Sequence, residues 1–127
     1  MPRNMSFSMT TDAVRNRTKT VTRRLGWSFI KPGDMLWAVE KGMGLKKGEK
    51  VKRLALIRVV SIRGERLDTL LKMPAEEADL EVEREGFDIC PNDFVDFFTR
   101  ANGCMESSLV NRIEFEYVGG VQTRREP

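Results

Sequence analysis

Five stretches of the chain carry the hydrophobic patterns that predict β-strands. Apolar residues alternate with polar ones over 4–8 and again over 110–117. The run at 35–39 is apolar on both faces, so we expect a strand that is buried on two sides and central to the core. A long apolar stretch at 51–63 and a stretch rich in threonine and valine at 18–25 predict the remaining two strands.

Capping residues and helical spacing predict short helices between these strands. One helix follows the threonines near the N-terminus. Pro74 can open a second helix that continues to about Arg84, and Pro91 opens a third whose phenylalanines we expect to pack in the core. The 127 residues are enough for a single core. The pattern therefore predicts one α+β domain over 1–118, with 119–127 as a flexible tail.

The strand predicted at 18–25 has a polar face. Thr20, Thr22 and Arg24 share that face by the two-residue period of a strand, and buried hydroxyls and charges need hydrogen-bond partners. This face therefore indicates a polar ligand or water. Lys19 lies three residues before Thr22, so only a turn or a bulge at the strand entry brings the two side chains together. The alternative is an ordinary edge strand with solvated charges.

The charged residues are clustered along the chain. The formal net charge is +3, from 22 basic and 19 acidic residues. Basic side chains crowd 15–24 and 46–53, whereas acidic ones gather over 68–96, which predicts a polarised molecule with a basic side suited to phosphate. The alternative is that these runs are solvated faces. The residues expected to contact nucleic acid belong to the basic runs: Arg23, Lys46 and Lys47.

The residue types narrow the chemistry. The chain has no histidine, which excludes Ser-His-Asp and Cys-His catalysis, and its two cysteines lack the spacing of a zinc site. Its glycines do not form a P-loop, which argues against a nucleotide triphosphate site. Together these features predict neither a metal nor a cofactor. No apolar run is long enough to cross a bilayer and no signal peptide is visible, which predicts a cytoplasmic protein without membrane contact. Proton transfer is left to lysine, carboxylate, tyrosine or cysteine.

Glu85 is a candidate for proton transfer because of its place in the predicted helix. It follows Arg84 at the C-terminal end, just before Gly86. The negative pole of the helix disfavours an ionised carboxylate there, as a general acid requires. The alternative is that Glu85 is one of several exposed acids at 81–85.

The chain contains the strings T-K-T-V-T-R-R and K-P-G-D within the predicted order of strands and helices. In these features it resembles the ASCH domain family of the PUA-like superfamily. The resemblance covers nearly the whole chain. It implies a small mixed β-barrel flanked by short helices, a cleft lined by the motif strand, and a link to RNA or modified nucleosides. Some small bacterial members are amidohydrolases that remove the acyl group of N4-acetylcytidine.

Those enzymes use a lysine, a threonine three positions later and a glutamate beyond the long strand. The resemblance therefore implies Lys19, Thr22 and Glu85 as catalytic residues. It also implies Arg24 as a residue that steadies the ligand. Family members often have glycine two residues before the lysine, where this chain has Arg17.

The expected partner is a modified cytidine nucleoside or RNA, with the chain a monomer or a weak dimer. Thr20 is a further candidate for substrate binding because it shares the polar face of the motif strand. Trp27 is another: its loop also carries Phe29, and these rings either pack under the barrel or stack on a base. Other members of the family are ribonucleases or RNA binders. A non-catalytic RNA-binding module and a metal-independent ribonuclease therefore remain as alternatives.

Overall fold

The structure, a computed structural model, describes residues 2–41, 47–48 and 50–119. These described residues form five strands and four helices. In order, they are β1 (Arg3–Ser6), α1 (Thr11–Arg15), β2 (Val21–Arg24), β3 (Met35–Val39), β4 (Arg53–Arg66), α2 (Thr69–Lys72), α3 (Ala75–Arg84), α4 (Pro91–Asn102) and β5 (Leu109–Tyr117). Within the described residues, no helix is both long and apolar enough to cross a membrane.

The five strands form one curled sheet in the order β1-β3-β4-β5-β2. Among the described strands, β1 and β3 pair in parallel and the other three pairs are antiparallel. This mixed half-barrel with its helices confirms the predicted α+β class and small barrel. The expectation that 35–39 is the central strand is wrong. The centre is β4, whose 14 residues are long enough to pair with both β3 and β5.

The edge strands β1 and β2 are not paired with each other in the described sheet, so the barrel stays open along a seam between them. One side chain crosses that seam. Arg24 Nη2 donates a 2.6 Å hydrogen bond to the carbonyl oxygen of Ser6. A guanidinium thus takes the place of the missing ladder at this point, and polar groups of both edges face one another there.

Two apolar clusters form the core. The first fills the half-barrel and includes Met5, Phe7, Leu36, Ile57 and Phe115, each no more than 2% exposed. The second joins the helices to the strand ends, and its members are Leu67, Leu70, Val82, Phe94, Val95, Phe98 and Val110. Burying a side chain of this size contributes about 1.5–3 kcal/mol. The two clusters therefore fix the helices against the sheet and leave a gap between them.

Strand β2 begins at Val21, three residues later than expected. The reason is that the segment before it binds two different elements. The Thr20 amide donates to the carbonyl of Arg84 at 2.9 Å, and the Thr20 carbonyl accepts a 2.9 Å bond from the Phe115 amide. Arg17 precedes this segment with φ of 61°, the left-handed conformation that glycine adopts most easily. Arg17 thus holds a backbone conformation that is uncommon for residues with a side chain.

Candidate functional site

A cleft of about 270 Å³ opens at the seam. Its floor is polar and comes from the segment that leads into β2, from β2 itself and from the end of α3. The floor residues are Lys19, Thr22, Arg23, Arg24 and Glu85. Its wall is apolar and comes from Phe7, from Phe87 and from the α4 phenylalanines Phe94, Phe97 and Phe98. The structure therefore brings the three predicted catalytic side chains into one hollow.

Lys19 is buried, with 2% of its surface exposed. Its Nζ donates to the backbone carbonyl of Glu85 and lies 3.3 Å from Glu85 Oε1. Burial lowers the pKa of Lys19 below its ordinary value, the nearby Glu85 opposes this, and the Arg24 and Arg23 charges add to the lowering. The Tyr117 hydroxyl donates a 2.6 Å bond to the Lys19 carbonyl, which fixes the backbone at this residue. The amine is thus held in place, and burial lowers its pKa below that of an exposed lysine.

Lys19 and Thr22 reach the same cleft because Lys19 stands outside the strand. Alternation applies only within β2, which starts at Val21, so an odd spacing does not separate the two side chains. This is the departure at the strand entry that the sequence required. Of the described residues, Glu85 rather than Thr22 receives the hydrogen bonds of the Lys19 amine.

Thr22 and Arg24 share one face of β2, as their spacing predicted. Arg24 Nε donates to Thr22 Oγ1 at 3.1 Å, and the guanidinium lies 4.8 Å from the centre of the Phe7 ring. Thr22 is 3% exposed. Burial lowers the pKa of Arg24 to about 10, with Glu85 acting in the opposite direction, so Arg24 remains a cation at neutral pH. The Thr22 hydroxyl therefore lies beside a fixed positive charge.

Glu85 ends helix α3, where the sequence placed it, and only 2% of it is exposed. The alternative of an exposed surface acid is wrong for this residue, although Glu83 and Arg84 before it are exposed. Its Oε1 faces Lys19, and its Oε2 accepts a 3.0 Å bond from Arg23 Nη1. The carboxylate is thus held between the amine of Lys19 and the guanidinium of Arg23 at the floor of the cleft.

Three of the other predicted site residues, Thr20, Trp27 and Lys47, lie outside the cleft. Thr20 is half-buried and does not line the cleft. Trp27 packs against the half-barrel core and stacks on Phe29, with ring centres 5.4 Å apart, also away from the cleft. Lys47 is exposed, and Lys46 lies outside the described residues. Thr20, Trp27 and Lys47 therefore do not join Lys19 in the cleft.

Arg23 is the predicted site residue whose surroundings differ most from the expectation. Its side chain is 0% exposed and its guanidinium is taken up by three carboxylates, so no face of it is open to a phosphate. Nη2 lies 2.5 Å from Glu81 Oε2, and Nε and Nη2 lie 3.3 and 3.2 Å from Glu65 Oε2. Arg23 therefore lines the cleft and also supports its floor through these ion pairs.

A buried ion-pair network thus lies under the floor, formed by Lys19, Glu85, Arg23, Glu65, Glu81 and Arg112. Arg23 and Arg112 are opposite each other in the β2–β5 ladder, and such a like-charge pair is unfavourable on its own. Glu81 lies between them, bonded to Arg112 at 2.8 and 2.7 Å. Burial raises the pKa of Glu81, but the bonds from Arg112 and Arg23 outweigh burial and hold that pKa at about 2.

Sequence reasoning missed this network and the apolar wall. Glu81 and Arg112 are far apart along the chain, and no local pattern indicates that they meet. The α4 phenylalanines were expected to pack in the core; Phe94 and Phe98 do so, but they also border the cleft with the half-exposed Phe97. Phenylalanines that pack in a core and phenylalanines that line a cleft have the same helical spacing, so the sequence does not distinguish the two. Among residues 2–41, 47–48 and 50–119, no group of three or more His, Cys, Asp or Glu side chains is arranged to hold a metal ion.

No protein-family model and no curated protein sequence matches this chain. Three solved structures are similar to it in fold. The hypothetical protein PH0355 is 18% identical with a TM-score of 0.59, over 93% of this chain and all of the other. A protein from Enterococcus faecalis V583, of the family DUF984, is 16% identical with a TM-score of 0.62, over all of this chain and 86% of the other.

The third similar structure is an ASCH domain from Lactobacillus crispatus JV V101. It is 15% identical to this chain with a TM-score of 0.57, and the match covers 92% of this chain and 80% of that one. Identities this low establish the fold alone. The chain has the fold of an ASCH domain, as its Lys-Thr-x-Thr-x-Arg motif predicts.

Proposed function

We propose that the protein is an amidohydrolase that removes the acyl group from N4-acylated cytidine in the cleft at the seam. The observation that carries the proposal is the meeting of an amine, a hydroxyl and a carboxylate in one partly apolar hollow. Lys19, Thr22 and Glu85 are each no more than 3% exposed, and all three line the cleft. Buried titratable groups with specific partners are typical of catalytic sites.

The wall of the cleft supports a flat, uncharged substrate. The Phe87 ring lies 5.2 Å from that of Phe94 and 5.3 Å from that of Phe97, measured between ring centres. Such rings offer faces and edges on which a pyrimidine can stack, whatever its hydrogen-bonding groups. The polar floor opposite them meets the acylamino group. An apolar wall facing a few polar groups is the usual composition of a small-molecule site.

In the first step, Thr22 Oγ attacks the acyl carbon and its proton moves to Lys19 Nζ. A neutral lysine is needed for this, and burial with the adjacent Arg24 and Arg23 charges lowers the pKa of Lys19 in the required direction. The carbonyl oxygen becomes an oxyanion. Arg24, whose Nε is 3.1 Å from Thr22 Oγ1, supplies the positive charge that stabilises it.

In the second step, the bond between the acyl carbon and the exocyclic nitrogen breaks. The proton that Lys19 received passes along the 3.3 Å contact to Glu85 Oε1 and from there to the departing amine, which leaves as cytidine. Water then hydrolyses the acyl ester of Thr22, releasing the carboxylic acid and restoring the hydroxyl. Overall, one amide and one water give one amine and one acid.

The test is the release of cytidine from N4-acetylcytidine, followed by chromatography. We expect the wild-type protein to release it, and Lys19→Met and Glu85→Gln to lower kcat by about a hundredfold to ten-thousandfold, because each removes one proton-transfer step. Lys72→Met and Glu83→Gln are the matched controls, since both residues are exposed and outside the cleft. They should keep the wild-type rate. Wild-type turnover that Lys19→Met leaves unchanged would contradict the assignment.

Salt dependence separates this proposal from the two RNA alternatives. Binding of a neutral nucleoside releases no counterions, so KM should vary little between 50 and 200 mM salt. RNA binding that depends on phosphate contacts should instead weaken about a thousandfold or more as salt rises over that range. A protein that binds RNA in this salt-dependent way but leaves N4-acetylcytidine intact would be a binding module. Cleavage of short RNA in the presence of EDTA would indicate the ribonuclease.

A further inference from the structure

The ion-pair network includes Lys19 and Glu85, and Arg23 connects these two residues to the rest of the network. One oxygen of Glu85 accepts from Arg23 Nη1 at 3.0 Å, and the other faces Lys19 Nζ at 3.3 Å. A carboxylate held at both oxygens by fixed hydrogen-bond donors keeps one orientation. The rotation of Glu85, and with it the direction of Oε1, therefore depends on where the guanidinium of Arg23 lies.

Arg23 is itself fixed from behind. Glu81 accepts from Arg23 Nη2 and from Arg112, and Glu65 accepts from Arg23 Nε. Glu81 and Glu85 are one turn apart on the same face of α3, so they take hold of Arg23 from a single rigid element. Arg23 and Arg112 attach the network to the β2–β5 ladder. The cleft floor is thus anchored to both the helix and the sheet.

We infer that Arg23, held by Glu81 and Arg112, is a positioning residue that keeps Glu85 Oε1 directed at the amine of Lys19. The catalytic role of Arg23 rests on the proposed function. The coupling of Arg23 and Glu81 to Lys19 is a property of the folded protein and can be measured without substrate.

Two substitutions in the network move the protonation of Lys19 in opposite directions. Arg23→Gln removes a cation that lowers the pKa of Lys19 and leaves Glu85 to the amine alone, so the pKa of Lys19 rises. Glu81→Gln frees N–H groups of Arg23, which turn toward both oxygens of Glu85 and compete with Lys19, so the pKa of Lys19 falls. The groups that face Lys19 from the surrounding elements are Glu85, Arg23, Arg24, Phe7, Phe87 and, at its backbone carbonyl, Tyr117.

The experiment is a pH titration of the lysine side-chain Cε carbons by ¹³C NMR. The Lys19 resonance is identified by its loss in Lys19→Met. We expect its midpoint to lie at higher pH in Arg23→Gln, by about one unit, and at lower pH in Glu81→Gln. Glu83→Gln, a change of the same kind at an exposed position of α3, should leave it unmoved. Equal shifts in the same direction, or no shift in either variant, would overturn the inference.

Folding of Arg23→Gln is expected, because each carboxylate keeps one cation: Glu85 keeps Lys19, Glu81 keeps Arg112 and Glu65 keeps Arg63. Arg23→Lys, which keeps the charge but not the forked geometry, is the second variant. With N4-acetylcytidine it should lose about tenfold to a hundredfold in kcat, as expected of a displaced catalytic group, with KM within about twofold. Wild-type protein that shows the two opposite shifts but no turnover would end the proposed function and keep the coupling.

Discussion

Gly86 joins Glu85 to the aromatic wall at the point where α1 comes closest to the cleft. Its φ is +90°, and a Cβ placed on it would lie 2.9 Å from Cβ of Ala13 and 3.6 Å from Cβ of Lys19. Both the backbone conformation and the space therefore require glycine. The first is visible in the sequence as a helix stop, whereas the second depends on α1 and appears only in three dimensions.

Replacing this glycine tests the close approach. Gly86→Ala should lower the free energy of unfolding by about 2–5 kcal/mol, from about 1–2 kcal/mol for the left-handed backbone and about 1–3 kcal/mol for the overlap. Gly103→Ala is the control, because Gly103 also has positive φ, at +61°, but nothing lies within 4 Å of its Cβ position. It should lose about 1–2 kcal/mol. Denaturant melts of the two variants compare them, and equal losses would contradict the packing described for Gly86.

At the scale of single residues, the sequence was most informative where one pattern sets one position. The spacing of Thr22 and Arg24 put them on one strand face, and the helix stop put Glu85 at the end of α3. It failed for Arg23, where the sequence shows only a basic residue in a basic run. The three carboxylates that bury Arg23 come from β4 and α3, and no local pattern reports such long-range pairing.

At the scale of elements, the ion-pair network ties α3 to the sheet. Glu81 and Glu85 extend from α3 to Arg23 on β2, and Glu81 also binds Arg112 on β5. A pair of this kind adds little when it replaces apolar packing, but losing one partner leaves an uncompensated buried charge and costs about 3–5 kcal/mol. The strength of the attachment between α3 and the sheet therefore depends on the ionised form of Glu81.

This dependence predicts an acid limit for the fold. The pKa of Glu81 is lowered from 4.5 to about 2, so its contribution to stability is complete above about pH 4.5 and is lost as the pH falls through about 2. We expect the thermal midpoint of the wild-type protein to fall steeply across this range. Glu81→Gln should start lower and fall less steeply, while Glu83→Gln follows the wild type. Calorimetry from pH 2 to pH 6 makes the comparison, and parallel curves for wild type and Glu81→Gln would be inconsistent with a stabilising ionised Glu81.

Elements with a strong local signal were predicted well. The bounds of α3 and β3 match the sequence pattern, because a proline start, a glycine stop and a turn before an apolar run all act locally. The start of β2 and the central place of β4 were not predicted. Both are decided by pairing partners, the first by Arg84 and Phe115, which bind Thr20 on either side, and the second by the order of strands in the sheet.

At the scale of the whole molecule, the cleft exists because β1 and β2 do not pair within the part of the chain that the structure describes. A closed ladder between β1 and β2 would use the backbone groups at the seam and fill the space over Lys19. The open edge instead places Thr22 and Arg24 on a free side of the sheet, and the phenylalanines of α4 complete the hollow from across the gap. The motif in the sequence marks this edge, but the depth and lining of the hollow follow from how the helices pack.

The proposed attack by Thr22 is tested by the rate at which Thr22→Val releases cytidine from N4-acetylcytidine, compared with Thr18→Val. Both changes replace a hydroxyl by a methyl group of similar shape, but Thr22 lies buried in the cleft and Thr18 is exposed with its hydroxyl bonded to the Ala13 carbonyl. We predict wild-type release by Thr18→Val and a loss of about a hundredfold or more in kcat for Thr22→Val. Release at the wild-type rate by Thr22→Val, or no release by the wild-type protein, would contradict the account.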